Sequence, residues 1–393
     1  MGSMASRAST GTTWTWDEVS ARRLRRHGLV GEPHATPAAA AAAMCGAHAQ
    51  VMTAGELSLG LRVAGAAQAD VRRAVWDEHA LVKTFGPRGT VHLLPTAELP
   101  LWTGALASVV PATPSPFPEG VRLTPEQTEA LVAAVGEALA DAELTVDELT
   151  EALADLAGPW AVEKVMPAFQ TLWPRWRQAT HTAAFRGVLC FGASRGRKIT
   201  YTSPRRWLPG FRPEPGPAAV SHLVTRYLGA YGPATPKQFA RWLAANEAWA
   251  ARAFEAAPLV EVTLAGEPGV AYLPAGDDAK PEPVPESLRL LPYFDAYAVG
   301  GHPRHRLFPG RAGERALAGS QAGNFPVLLV DGTVAGVWHQ RSAGRALEVT
   351  VEPLAPLSRA RRARLDAEVA RVGEFFGKAA RLTVGEVTAG PHA

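Results

Sequence analysis

The sequence predicts an α+β chain of three tandem winged-helix (helix-turn-helix) motifs plus a C-terminal β-barrel or curled sheet carrying one helix. Three observations lead there. An amphipathic helix, a capped helix and a short hairpin recur in that order three times. A linker rich in Pro, Asp and Glu, Pro274 to Pro285, closes the third copy. Beyond it lie the strand-like runs Leu288–Leu291, Phe325–Val330, Val334–His339 and Leu347–Val351, with Asp331-Gly332 as a tight-turn signal between two of them.

The first copy, residues 14–110, opens with apolar positions Trp16, Val19 and Leu24 at helical spacing, stopped at Gly28. Thr36-Pro37 caps an alanine-rich helix, Thr as N-cap and Pro in the first turn. Helices are expected at Leu57–Val63 and Ala67–Glu78. Strands are expected at Leu81–Thr84 and Thr90–Leu94, around the turn Gly86-Pro87-Arg88-Gly89. In the second copy, 120–212, Thr124-Pro125 and the capping box Thr145 to Glu148 start two helices, and Val162–Trp173 reads as a third. A hairpin with the basic tip Arg195, Arg197 and Lys198 follows. The third copy, 216–275, contains Ser221–Tyr231, the helix opened by Thr235-Pro236, and strands Val260–Leu264 and Val270–Leu273. The last unit, 286–390, adds a helix at Pro356–Gly377 and a strand at Ala380–Val387. Residues 1–13 are small and polar and read as a disordered terminus, Met1-Gly2-Ser3-Met4 resembling an expression scar.

At 393 residues the chain exceeds one ordinary core, at about 100–200 residues per domain. Hydrophobic content of 47% and charged content of 20% suit a globular protein, and no apolar run is long enough to span a membrane. A cytoplasmic protein is expected. Cys45 and Cys190 give neither a disulfide framework nor zinc spacing, and His302 with His305 lacks a third ligand, so no metal or cofactor is expected. Net charge is only +3, but arginines cluster at Arg22–Arg26, Arg195–Arg206, Arg304–Arg311 and Arg359–Arg364. Local basic runs on a near-neutral body suggest a track for a polyanion, although any one run is commonly a solvated face.

Two segments set polar groups among core residues: His48-Ala49-Gln50, inside Met44 to Met52, and Arg88-Gly89-Thr90-Val91-His92. A buried imidazole or amide must find partners or stay open to a ligand, and a satisfied core hydrogen bond is the commoner outcome.

Together with Trp16-Asp17-Glu18-Val19, Ala230-Tyr231-Gly232-Pro233, Leu290-Leu291-Pro292-Tyr293-Phe294-Asp295 and Pro326-Val327-Leu328-Leu329-Val330-Asp331-Gly332, these segments resemble the AlkZ-like family of winged-helix DNA glycosylases, from about Trp16 to Val387. The resemblance implies a C-shaped clamp with a basic concave face. It also implies a catalytic Gln–apolar–Gln motif, which here reads His48-Ala49-Gln50, a His-x-Gln version similar to the branch associated with self-resistance to trioxacarcin-type alkylators.

That resemblance implies a monofunctional glycosylase acting, as a monomer, on double-stranded DNA that carries bulky N7-alkylguanine, interstrand crosslinks among such lesions. His48 and Gln50 are the expected catalytic pair, aligning water against a sugar cation. The i, i+2 spacing puts both side chains on one side of an extended segment. No lysine lies at the motif to form a Schiff base. Arg88, Arg195, Arg197 and Lys198 are expected to contact DNA phosphates, and Thr90, His92 and Asp295 to support the motif, Asp295 as a helix cap or anchor. Two other readings are a non-catalytic regulator binding duplex DNA and a lesion-shielding protein that binds adducts without cutting.

Overall fold

The computed structural model describes residues 9–390, apart from 114, 116, 169, 170, 284, 285 and 320. Helices alternate with small sheets up to residue 274, and a larger sheet completes the chain, a mixed α+β architecture.

The first small sheet has Val91–Pro95 at its centre, flanked by Leu81–Phe85 and by the two-residue strand Ala47–His48. Helices Pro37–Ala43, Met52–Gly60 and Gln68–Trp76 pack on it, while Trp16–Arg26 packs against helix Gly216–Tyr231. The second sheet runs Glu143–Thr145, Thr200–Thr202, Cys190–Phe191. The third joins Leu259–Leu264 to Ala271–Pro274 and, on its other edge, to Ser9–Trp14 in parallel. Cap chemistry sets the helix starts: the hydroxyls of Thr36, Thr124, Thr145 and Thr235 each accept the backbone N–H three residues on.

Three expectations need correction. The disordered terminus of 1–13 does not hold from Ser9 onward, because Ser9–Trp14 pairs with Leu259–Leu264 and Trp14 is fully buried; residues 1–8 lie outside the described residues. The expected helix Val162–Trp173 is instead a short helix, Pro159–Val162, followed by a hairpin of Lys164–Ala168 with Thr171–Pro174. Pro167 explains this: mid-helix it removes a hydrogen bond and clashes with the preceding turn. Of the two forms expected for the C-terminal unit, the curled sheet is present and the closed β-barrel is not: the strands run Leu288–Leu291, Val327–Val330, Thr333–Ala343, Ala346–Pro353, Ala379–Val384 without closing. Helix Arg359–Phe375 packs on both edge strands and takes the place of strand-to-strand closure. Asp331 and Gly332 turn the central hairpin with positive φ at both, 49° and 83°, as a primed turn demands.

The C-terminal unit reaches the first unit through this helix. A Cβ on Gly60 would stand 2.1 Å from the Phe375 ring, so only glycine lets the two helices close at that point.

Candidate active site

His48 ends the short strand opposite His92, and Ala49 N donates to Val91 O at 2.8 Å, extending the pairing by one residue. Two close approaches hold this segment. Gly46, at φ 92°, lies where a Cβ would meet Leu94 Cδ2 at 2.6 Å. Gly55, in the helix that follows, lies where a Cβ would meet His48 O at 2.8 Å. From the third unit, the Tyr231 hydroxyl donates to Met44 O at 2.9 Å and fixes the chain just before the motif.

The His48 side chain is 8% exposed and lines a cleft with Arg88, His92, Tyr231, Trp242 and Phe294. The cleft volume is about 10 Å³, the room of about one water. Phe294 stacks on the imidazole with centroids 4.5 Å apart, and His92 meets it edge-on at 5.1 Å. Burial first, then the positive charge of Arg88, pushes the His48 pKa down to about 4, so the ring is neutral at pH 7. Its Nδ1 is buried with no hydrogen-bond partner among the described residues, so no neighbour fixes the tautomer at that atom.

The other expected residues separate into those near this cleft and those far from it. His92 stands beside His48, its Nδ1 2.9 Å from Thr90 O, and burial holds it well below the usual histidine range. Thr90 therefore acts through its carbonyl, while its hydroxyl donates to Pro87 O at 3.0 Å. Arg88, at φ 63°, turns inward and donates to Trp242 O at 2.7 Å. Gln50 is exposed in a bend beyond the strand, which ends at His48; the expected i, i+2 alignment with His48 does not hold, and Gln50 does not line the cleft. Asp295 lies behind it, fully buried: it accepts from Arg62 at 2.8 and 2.9 Å, from the Ser58 hydroxyl at 2.7 Å and from Tyr297 N at 3.0 Å, both capping a helix and anchoring the C-terminal unit to helix Met52–Gly60. Arg195, Arg197 and Lys198 do not line the cleft. Arg195 pairs with Glu148 at 3.1 Å and Lys198 with Asp147 at 2.9 Å, while Arg197 makes no ion pair among the described residues. His305 pairs with Glu267 at 2.9 Å.

Phe294, Tyr231 and Trp242 were missed as site residues. Phe294 and Tyr231 lie in segments that already stood out by resemblance, but their contact with His48 or its backbone comes from units nearly 200 residues or more away and leaves no local signal.

A larger cavity of about 440 Å³ adjoins this cleft through Arg88, which lines both, and is walled by Leu106, Val109, Phe185 and Leu243 with His181 and Arg186.

Comparison with known proteins identifies the family and the fold. Residues 41–375 match the family described as "DNA glycosylase AlkZ-like". The chain is 31% identical over 338 residues to the "Interstrand DNA cross-link repair glycosylase" of Streptomyces sahachiroi, covering 82% of this chain and 87% of that protein. The solved structure of Streptomyces sahachiroi DNA glycosylase AlkZ superposes with a TM-score of 0.78 at 27% identity, over 95% of this chain and 100% of that one. No helix among the described residues is long and apolar enough to cross a membrane. The chain belongs to the AlkZ-like family and is a DNA glycosylase, which sets aside the non-catalytic readings.

Proposed function

We propose that this enzyme hydrolyses the N-glycosidic bond of bulky N7-alkylguanine in duplex DNA, unhooking interstrand crosslinks of that chemistry and protecting a producing cell from its own alkylator. The observation that carries this reading is a neutral imidazole buried in a cleft with room for about one water. An N7-alkylated guanine is already cationic. When C1′–N9 breaks, the bond electrons return to the base and neutralise it, so no strong acid is needed. Water then adds its oxygen to C1′ and gives up a proton, leaving a hydroxylated abasic sugar. A ring with pKa near 4 is a weak base at pH 7, which suits aligning and accepting from water as the sugar cation forms better than deprotonating it beforehand. A protonated ring at the same place would repel that cation. Gln50, exposed two residues on, supplies an amide carbonyl to the same water once DNA is bound. No lysine lines the cleft, consistent with hydrolysis without a Schiff base.

In this reading the three helix-plus-sheet units act as winged helices and, with the C-terminal sheet, form a clamp around the duplex. A single chain then suffices. An open clamp tolerates lesions too bulky to be extruded into a closed pocket. His48→Ala and Gln50→Ala are expected to fold normally and lose base release. Wild-type rates in both variants would remove the assignment.

A further inference from the structure

Arg23, Arg88 and Arg304 are held by backbone carbonyls rather than by carboxylates. Arg23 donates to His302 O at 2.7 Å and Pro233 O at 3.2 Å, and Arg88 to Trp242 O at 2.7 Å. Arg304 donates to Ala298 O and Val299 O at 2.5 Å and to Gly301 O at 2.6 Å. A carbonyl satisfies the N–H groups but leaves the positive charge in place. Arg241, next to Trp242 on helix Pro236–Leu243, is exposed. None of these four arginines makes an ion pair among the described residues, whereas Arg195 and Lys198 at the hairpin tip are matched by Glu148 and Asp147.

Of the four cations only Arg88 lines the His48 cleft; Arg304 lies behind its wall on the Val299 carbonyl, and Arg241 neighbours the wall residue Trp242 in sequence. Arg88, Trp242 and Val299 line the cleft, so the groups that hold Arg88 and Arg304 are its walls. The cations also feel one another: burial, opposed by Tyr227 and reinforced by Arg88, Arg241 and Arg23, brings Arg304 down to about 10. His302 lies in the same field, pushed to about 3 by burial and then by Arg304, Arg23 and Arg241. Asp295, the buried carboxylate of this region, is already matched by Arg62. Clustered positive charge with no internal counterion is unfavourable in the free protein, and an anionic ligand relieves it.

We propose that Arg88, Arg241 and Arg304 form a seat for one phosphodiester of the lesion-bearing strand, beside the His48 cleft. Arg23, deeper in the structure, adds to the field. The proposal rests on the reading of that cleft as the reaction site. A phosphate in the seat also offsets the Arg88 charge that acts on His48.

The test is binding to a duplex carrying an uncleavable abasic analogue, measured by fluorescence anisotropy over a salt series, for wild type, Arg88→Gln, Arg241→Gln and Arg195→Gln. Arg304 is left intact because it holds three backbone carbonyls. Arg241 is on the surface, so its variant reports on binding even if Arg88→Gln folds poorly. Each seat variant is expected to bind more weakly and to reduce the slope of log K against log salt by about 0.9, with a smaller change for Arg195→Gln. An unchanged slope in both seat variants overturns the proposal, as does a larger change at Arg195 than at Arg241. Because the probe cannot be cleaved, a wild-type protein that shows the expected slopes yet releases no base from adducts leaves the seat standing and removes only the glycosylase chemistry proposed for His48.

Discussion

Phe294 stacks on His48 at 4.5 Å with the ring planes 28° apart, although the two residues belong to opposite ends of the chain. The His48 imidazole is thus packed against the C-terminal unit, and the joint behind it is the buried Arg62–Asp295 pair.

Phe294→Leu removes the stacked face while keeping an apolar side chain. Burial is the larger cause of the low His48 pKa, so opening that face raises the value from about 4 toward 6.5. The looser ring costs about ten- to hundred-fold in base release, the scale of a 1 Å misplacement. NMR titration of the His48 ring and a single-turnover assay check both effects; an unmoved pKa with full activity contradicts the positioning role.

Arg62→Met leaves Asp295 charged and buried and is expected to cost about 3–5 kcal/mol. The double variant Arg62→Met with Asp295→Asn removes the orphan charge and keeps an acceptor for Tyr297 N, so it is expected to be more stable than the single one. Denaturant unfolding gives the order. A double variant less stable than Arg62→Met shows that the pair is not what anchors the two units.

The His48 pKa also makes stability depend on pH. The folded value, about 4, lies below the unfolded 6.5, so protons favour the unfolded chain. This contribution is intact above about pH 6.5 and is lost as pH falls toward about 4, a difference of roughly 3 kcal/mol. His302, at about 3, adds a loss that continues to lower pH. His48→Gln does not titrate there and is expected to flatten the fall in Tm between about pH 7 and about pH 4.5. Identical pH profiles for the two proteins contradict this.

Arg88 is the second cause of that low pKa. Arg88→Met is expected to raise the His48 value while leaving it below 6.5, because burial remains. A fall, or no change, in the NMR titration shows that the Arg88 charge does not reach the ring.

Features written within a few residues were legible in the sequence. Thr-Pro steps gave helix starts, Asp331-Gly332 gave its turn, and Asp295 was recognised as a cap or anchor. Misreadings came from weighing periodicity over backbone chemistry, as at Pro167, or from partners distant in the chain. The strand pairing that buries His48 needs His92, and its stacking partner is Phe294. At the hairpin tip, Arg195 and Lys198 keep their exposure but carry the partners Glu148 and Asp147, about 50 residues away in sequence and adjacent in space. Arg22 and Arg26, likewise, are paired with Asp277 of the linker.

The most direct measurement is base release from duplexes carrying defined N7-guanine adducts, from methyl to a bulky intercalated alkylator and an interstrand crosslink, with freed base and abasic sites counted. The account predicts release from the bulky adducts by the wild-type enzyme and its loss in His48→Ala. Tight binding with no release at enzyme excess and long times contradicts it.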